Sequence, residues 1–333
     1  MSSFPSLPES EQQDAEYNNI CNNHKHLLET LPKANGWKNR HLYNYNGFWL
    51  SPLVLKTNLL LHTYFKSHPT DIFLASFMKS GTTWLKALMF STLNRHHYTF
   101  SDHYLHKHGP QSTFPLLDVE SYPISDFTTF SPPRLFATHF ARSLLPSCIT
   151  SGKFVYVCRN PKDVLISKWL FMSKLRPKDI PPLSLDEAFE LFSLGVSEFG
   201  PFWEHVLSYW RASLESPKKI LFLKYEEVKK QPEVVVRKLA TFLGKPLTAE
   251  EEEKGVVGEI VKLCSFESLR NLEVNKNGME KFGKVVEIEK RDFFRKGEIG
   301  DWKNYLSDEM KERIDGITDD KFRGSGLSLR EMI

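Results

Sequence analysis

Four short runs along the chain are apolar on both faces: 72–76 (IFLAS), 135–138 (LFAT), 154–158 (FVYVC) and 220–223 (ILFL). Each is short and separated from the next by long stretches with helical spacing. A strand that hides both faces belongs beneath helices on either side. The pattern therefore predicts an α/β fold with a central parallel sheet flanked by helices in three layers. Several helices mark their own ends. The run 82–93 carries an apolar stripe at Trp84, Leu85, Leu88 and Met89. Asn160-Pro161 pairs an N-cap with proline at the first helical position, which predicts a helix through Trp169. Pro232 opens another helix that Gly244 closes, and Thr248 with Glu251 makes a capping box ahead of 256–264. The stretch 96–131, rich in His, Pro and Ser, reads as a long loop or lid. Residues 1–25 read as a mobile tail before a single domain over 26–333.

Composition narrows the function classes. A net charge of +3 is too small to imply a nucleic-acid binder, so anion binding must come from particular basic positions. The 25 phenylalanines suit a core built on ring surface. Cys21, Cys148, Cys158 and Cys264 form no CxxC pair and read as reduced thiols of an intracellular protein. The first residues, MSSFPSLPESEQQDAEYNN, have neither the basic nor the apolar region of a secretory signal, and no apolar stretch approaches the ~20 residues of a membrane helix. The expected location is the cytosol, with no membrane partner. The histidines His96, His97, His103, His106 and His108 lack metal-ligand spacing and read as a solvated loop, so no metal is expected.

In open α/β sheets, ligands bind beyond the carboxyl ends of the strands. The first predicted strand is followed by Phe77-Met78-Lys79-Ser80-Gly81-Thr82-Thr83-Trp84, the second by His139, the third by Arg159, and the fourth by Lys224-Tyr225. A strand, then KSGTT, then a helix is a phosphate cradle: Gly81 permits close backbone approach, amides point outward at the helix start, and Lys79 adds charge. It is not a Walker A loop, because Lys79 precedes the glycine. Alone, the loop reads equally well as a helix cap with a surface lysine; the other strand ends decide. A magnesium-dependent kinase needs a carboxylate where this chain has His139 and Arg159. Arg295 and Lys296 beside Gly297 form a second basic turn able to take a phosphate.

Together these residues resemble the soluble sulfotransferases, which move a sulfuryl group from 3′-phosphoadenosine 5′-phosphosulfate (PAPS) to hydroxyl acceptors. The resemblance is carried by KSGTTWLKAL at 79–88, THF around His139, CRNPKDVLIS at 158–167, LKYEEV at 223–228 and FFRKGEIGDWKNYL at 293–306; GPFWEHVLSYW at 200–210 and LCSFESLRNLEVNK at 263–276 resemble the plant branch. It implies a P-loop-like fold of the sulfotransferase type and PAPS as cosubstrate, with 3′,5′-ADP as product. By position, it implies that Lys79, Ser80, Gly81, Thr82, Thr83 and Trp84 form the 5′-phosphosulfate loop. Arg159, Ser167, Arg295, Lys296 and Gly297 would hold the 3′-phosphate, Trp84, Tyr225 and Phe266 would line the adenine, and Cys264, Ser265 and Leu269 match further nucleotide positions. His139 matches the catalytic base, and Lys79 would stabilise the leaving phosphate.

Two positions and one segment depart from the family pattern. Met78 stands where proline usually precedes the loop lysine, and Ala137 stands where many animal relatives carry lysine. The animal dimer segment is reduced to Lys303, Ser307-Asp308 and Glu312 without its Thr-Val, which predicts a monomer. The expected acceptor is a small plant hydroxyl compound such as a flavonoid or a hydroxyjasmonate, with Phe77, Phe140, Phe171, Phe202 and Trp203 as candidate contacts. Two other readings are a P-loop-related small-molecule kinase and a catalytically inactive nucleotide-binding module.

Overall fold

A computed structural model describes residues 9–119, 127, 130–282 and 286–329. Helices α1 (Glu9–Thr30) and α2 (Pro52–Tyr64) bracket a small antiparallel sheet of β1 (Lys33–Asn35), β2 (His41–Tyr45) and β3 (Phe48–Leu50). Strand β4 (Ile72–Ser76) leads into α3 (Thr82–Leu93), and the short α4 (Tyr104–His108) precedes β5 (Leu135–Thr138). Strand β6 (Lys153–Cys158) is followed by α5 (Pro161–Leu175), α6 (Leu185–Ser193) and α7 (Phe202–Glu215). Strand β7 (Ile220–Lys224) runs straight into α8 (Tyr225–Lys230) and α9 (Pro232–Phe242). Then come α10 (Ala249–Glu253), α11 (Val256–Leu263), α12 (Phe266–Asn271) and α13 (Glu273–Asn277), the hairpin β8 (Met279–Phe282) and β9 (Val286–Glu289), and α14 (Asp308–Phe322).

The four predicted strands form one parallel sheet in the order β5-β4-β6-β7. Alternation along each strand divides the core into two. Phe73, Ala75, Phe136, Phe154 and Tyr156 face α5, α6, α7 and α14, whose Leu165, Phe192, Trp203 and Ile314 are buried against them. Ile72, Leu74, Val155 and Val157 face α3, α9 and α11, which contribute Leu88, Leu239 and Ile260. The first side uses the chain's phenylalanines as a ladder across three strands: Phe73 stacks on Phe154 at 4.7 Å and on Phe136 at 5.7 Å. Such ring pairs add about 0.5–1.5 kcal/mol each beyond the area they bury.

The helix signals act locally as expected. Asn160 accepts from the Lys162 amide at 3.0 Å and starts α5, which continues past Trp169 to Leu175 because its buried face continues. The Thr248–Glu251 capping box is formed, but it caps α10; a left-handed Gly255 then separates α10 from α11. Within the stretch expected as a tail, the chain is helical from Glu9 onward. There the chain is α1, whose Ile20, Leu27 and Leu28 pack into the larger core; residues 1–8 lie outside the described residues. The described part of the expected lid includes the short helix α4. His103 is buried, caps α4 through its ring nitrogen, and so leaves the solvated cluster expected of the histidines. Residues 120–126 and 128–129 of that stretch lie outside the described residues. All four cysteines are free, with Cys158 and Cys264 buried and Cys148 exposed.

Candidate active site

A parallel sheet points all its carboxyl ends the same way, and one cavity sits there. Its wall includes Lys79, Gly81, Thr82, Thr83 and Trp84 from the loop after β4, His139 after β5, Arg159 and Ser167 around the start of α5, and Tyr225 after β7. Phe266 and Leu269 from α12 and Arg295, Lys296 and Gly297 from the late loop complete it. The two glycines are required by space. Gly81 has φ +116°, and a Cβ there would lie 2.8 Å from the Tyr225 ring. Gly297 has φ +67°, and a Cβ there would lie 2.5 Å from the Phe266 ring. Lys79 itself adopts φ +69°, a left-handed conformation that costs a non-glycine residue about 1–3 kcal/mol and is typical of functional turns.

The Lys79 ammonium lies 3.8 Å from the centroid of the Phe171 ring. Burial, then the nearby Arg295 and Arg159, bring its pKa down to about 7. The two basic groups of the late loop are already paired: Arg295 and Lys296 both bond the buried Asp301 carboxylate, Lys296 at 2.6 Å. Burial works against ionisation of Asp301, but the bonds from Lys296, Arg295 and Asn304 outweigh it and hold the pKa near about 2. Asp163 ties the same loop to α5 by accepting from the Gly300 amide at 2.8 Å and the Trp302 amide at 3.2 Å. Arg159 lies over the Tyr225 ring at 4.5 Å, and the Tyr225 hydroxyl donates to the Gly297 carbonyl at 3.0 Å. Three N–H groups of the wall are buried without a partner among the described residues: Trp84 Nε1, Arg159 Nε and Arg295 Nε. Buried donors normally find acceptors, so this concentration marks a place built for an anionic, acceptor-rich ligand.

His139 is held from several sides. Its amide donates to Asp118 Oδ2 at 2.6 Å, its carbonyl accepts from His205 Nε2 at 2.9 Å, and Phe199 meets its ring edge-on at 5.6 Å. Its Nδ1 lies 2.8 Å from the Ser76 carbonyl. A carbonyl only accepts, so Nδ1 carries the proton and Nε2 carries the lone pair. Burial pushes the imidazole down to about 3 against the Ser76 bond, with Lys86, His205 and Lys168 adding to the depression. The ring is therefore neutral at physiological pH, the form that accepts a proton.

Not every predicted residue reaches the wall. Phe171 does, whereas Phe77, Phe140, Phe202 and Trp203 are buried in the core and do not line this cavity. Phe77 and Phe202 instead pack against each other at 5.2 Å, and Trp203 donates its indole N–H to Thr318 at 2.9 Å. Ser80 is fully buried behind the loop. Cys264 and Ser265 also stand behind the wall: Cys264 lies 3.4 Å from Ser91 Oγ, and Ser265 caps α12, which carries Phe266 and Leu269. Lining residues that the motifs did not single out are Lys86, Gln111, Leu116, Lys229, Phe293 and Phe294. Lys86 had one legible signal, being the lone charge in the apolar helix TTWLKALMFSTL.

The sulfotransferase domain family matches residues 69–326, a span that includes every strand and loop of this cavity. The chain belongs to that family. Among relatives of this sulfotransferase, cytosolic sulfotransferase 15 of Arabidopsis thaliana is 43% identical over 313 residues, covering 91% of this chain and 86% of that one. Flavonol 3-sulfotransferase of Flaveria bidentis is 44% identical over 309 residues, covering 91% and 99%. A crystal structure of an Arabidopsis thaliana putative steroid sulphotransferase superposes with a TM-score of 0.72 at 35% identity, covering 99% of this chain and 100% of that chain. A mouse sulfotransferase complexed with PAP superposes at 0.63 with 25% identity, covering 85% and 95%. The three-layer fold is thus the sulfotransferase fold. Among the described residues, no group of three or more His, Cys, Asp or Glu side chains is gathered as a metal site, and no helix is long and apolar enough to cross a membrane.

Proposed function

We propose that this sulfotransferase moves the sulfuryl group of PAPS onto a hydroxyl of a small planar acceptor, with His139 as general base and Lys79 stabilising the leaving phosphate. The observation that carries the reading is the placement of a neutral imidazole, with Nε2 free, in the wall of the cavity that also holds Lys79 and the partnerless donors. Trp84, Tyr225 and Phe266 offer an aromatic slot for a purine, and Trp84 and Tyr225 already meet edge-on at 5.6 Å. The basic cluster of Arg159, Arg295 and Lys296, with Ser167, suits a terminal phosphate.

His139 Nε2 takes the hydroxyl proton while the acceptor oxygen bonds to sulfur. The sulfur–oxygen bond to the phosphate breaks, 3′,5′-ADP departs with the electron pair, and Lys79 with the loop amides balances the new charge. Positioning and charge stabilisation are the main demands of such a transfer. Met78, Leu116, Phe171 and Phe293 give the rest of the wall an apolar character suited to a flat phenolic acceptor. The flavonol sulfotransferase relative supports a flavonoid. The proposal includes a monomeric enzyme with one catalytic domain that takes in α1, acting in the cytosol as the names of its relatives suggest.

Incubation with sulfur-labelled PAPS and a panel of flavonols, hydroxyjasmonates and sterols tests the reading. Label should pass to at least one hydroxyl, and magnesium-ATP should phosphorylate none. Phosphorylation from ATP would establish the kinase instead, and binding of 3′,5′-ADP with no transfer to any acceptor would establish the inactive module.

A further inference from the structure

The segment 110–118 crosses the cavity wall between two buried ionisable side chains, Lys86 and Asp118. From α3, Lys86 is 3% exposed. It donates to the Gln111 carbonyl at 3.3 Å, to Gln111 Oε1 at 3.2 Å and to the Phe114 carbonyl at 3.0 Å. The Gln111 amide donates in turn to Thr83 Oγ1, 2.8 Å away in the phosphate loop. At the far end Asp118, 1% exposed, accepts from Thr138 Oγ1 and from the His139 amide, both at 2.6 Å. Between these anchors the segment lies beside β5: the Ala137 amide donates to the Pro115 carbonyl, and the Leu117 amide to the Ala137 carbonyl, each at 2.8 Å. Leu116, in the middle of the strap, lines the cavity.

Burial draws the Lys86 amine down to about 8 and the Asp118 carboxyl up to about 7, so such groups are a costly way to hold a loop, and apolar packing would serve stability better. Their common feature is His139, which one of them bonds and the other faces. We propose that Lys86 and Asp118 are positioning residues: by suspending the strap between α3 and the end of β5, they fix the His139 backbone and the Leu116 wall, and so set the line along which the acceptor hydroxyl meets Nε2. This rests on the reading of His139 as the base. The charged and titratable groups facing that imidazole are Lys86 from α3, Lys168 from α5, His205 from α7 and Asp118 from the strap. Removing the Lys86 charge therefore also raises the proton affinity of the ring.

Lys86→Met, Thr138→Val, Thr138→Ser and His139→Ala, assayed beside the wild type, test the proposal. Displacement of a reacting group by about 1 Å costs about 100-fold, so Lys86→Met and Thr138→Val should each lower kcat about 10- to 100-fold. Calorimetric affinity for 3′,5′-ADP should stay within about twofold, because the affected interaction is made in the transition state. Thr138→Ser keeps the hydroxyl and should restore turnover. The acid limb of kcat/KM in Lys86→Met should move to higher pH. The proposal is overturned if the variants fold, bind 3′,5′-ADP and turn over like the wild type with an unmoved pH profile. If Lys86→Met fails to fold, the near-isosteric Thr138→Val against Thr138→Ser decides alone. Wild-type turnover in His139→Ala removes the base reading and this inference together; an inactive His139→Ala beside normal Lys86→Met and Thr138→Val removes only this one.

Discussion

At the scale of single residues, the cavity owes its shape to Gly81 and Gly297, each with an aromatic ring where a Cβ would stand. Gly297→Ala should therefore weaken 3′,5′-ADP binding by roughly tenfold or more, about 1.4 kcal/mol, as read by titration calorimetry. Lys79 gives a second expectation. In the free protein its pKa is lowered to about 7 by burial first and then by Arg295 and Arg159, so near neutrality many molecules lack that proton. A phosphate placed beside the amine favours the charged form, so binding takes up a proton and weakens as pH rises through 7 to 9. Calorimetry of 3′,5′-ADP in buffers of different ionisation enthalpy reads this directly; binding with no proton uptake would contradict it. Lys79, Arg159 and Arg295 were legible in the chain because each stands in a short motif beside a strand end or a glycine. Lys86 offered only its place as the lone charge of an apolar helix, and it looks like a surface residue until that helix proves buried on nearly every face. The phenylalanines of the core and of the cavity share one chemistry, so only the fold separates Phe171 from Phe77 and Phe140.

At the scale of elements, the central strands were readable because both faces are apolar, and α3, α5 and α9 because proline, glycine and cap residues punctuate them. The antiparallel strands β1, β2 and β3 gave no such signal, being short and in part exposed. Helix α1 is a polar sequence whose few apolar residues gain meaning only from the core they meet. Ends of strands are also fixed by charge. Asp71, just before β4, is fully buried and takes Arg134, just before β5, in a two-point pair at 2.7 and 2.5 Å. That pair sits opposite the cavity and sets the registry of the two strands that present Lys79 and His139. Removing one partner strands the other charge, so Asp71→Ala should cost about 3–5 kcal/mol of stability. Urea unfolding monitored by tryptophan fluorescence measures the loss; an unchanged midpoint would show that the pair contributes nothing.

At the scale of the whole molecule, residues more than two hundred positions apart reach one cavity because parallel strands deliver every following loop to the same edge. Sequence order alone showed that basic groups follow strands; the sheet order β5-β4-β6-β7 puts the His139 strand and the Arg159 strand on either side of the Lys79 loop. Asp301 gathers the basic groups of the late loop and Asp163 holds that loop against α5, so both halves of the anion site are formed in the free protein. The central claim is that His139 removes the acceptor proton within this preassembled site. Its most direct test is steady-state transfer from labelled PAPS to an accepted flavonol, with His139→Ala compared to wild type at equal 3′,5′-ADP affinity. Loss of the base should lower kcat by about 10²–10⁴-fold while nucleotide binding is retained; turnover close to wild type in that variant would contradict the account.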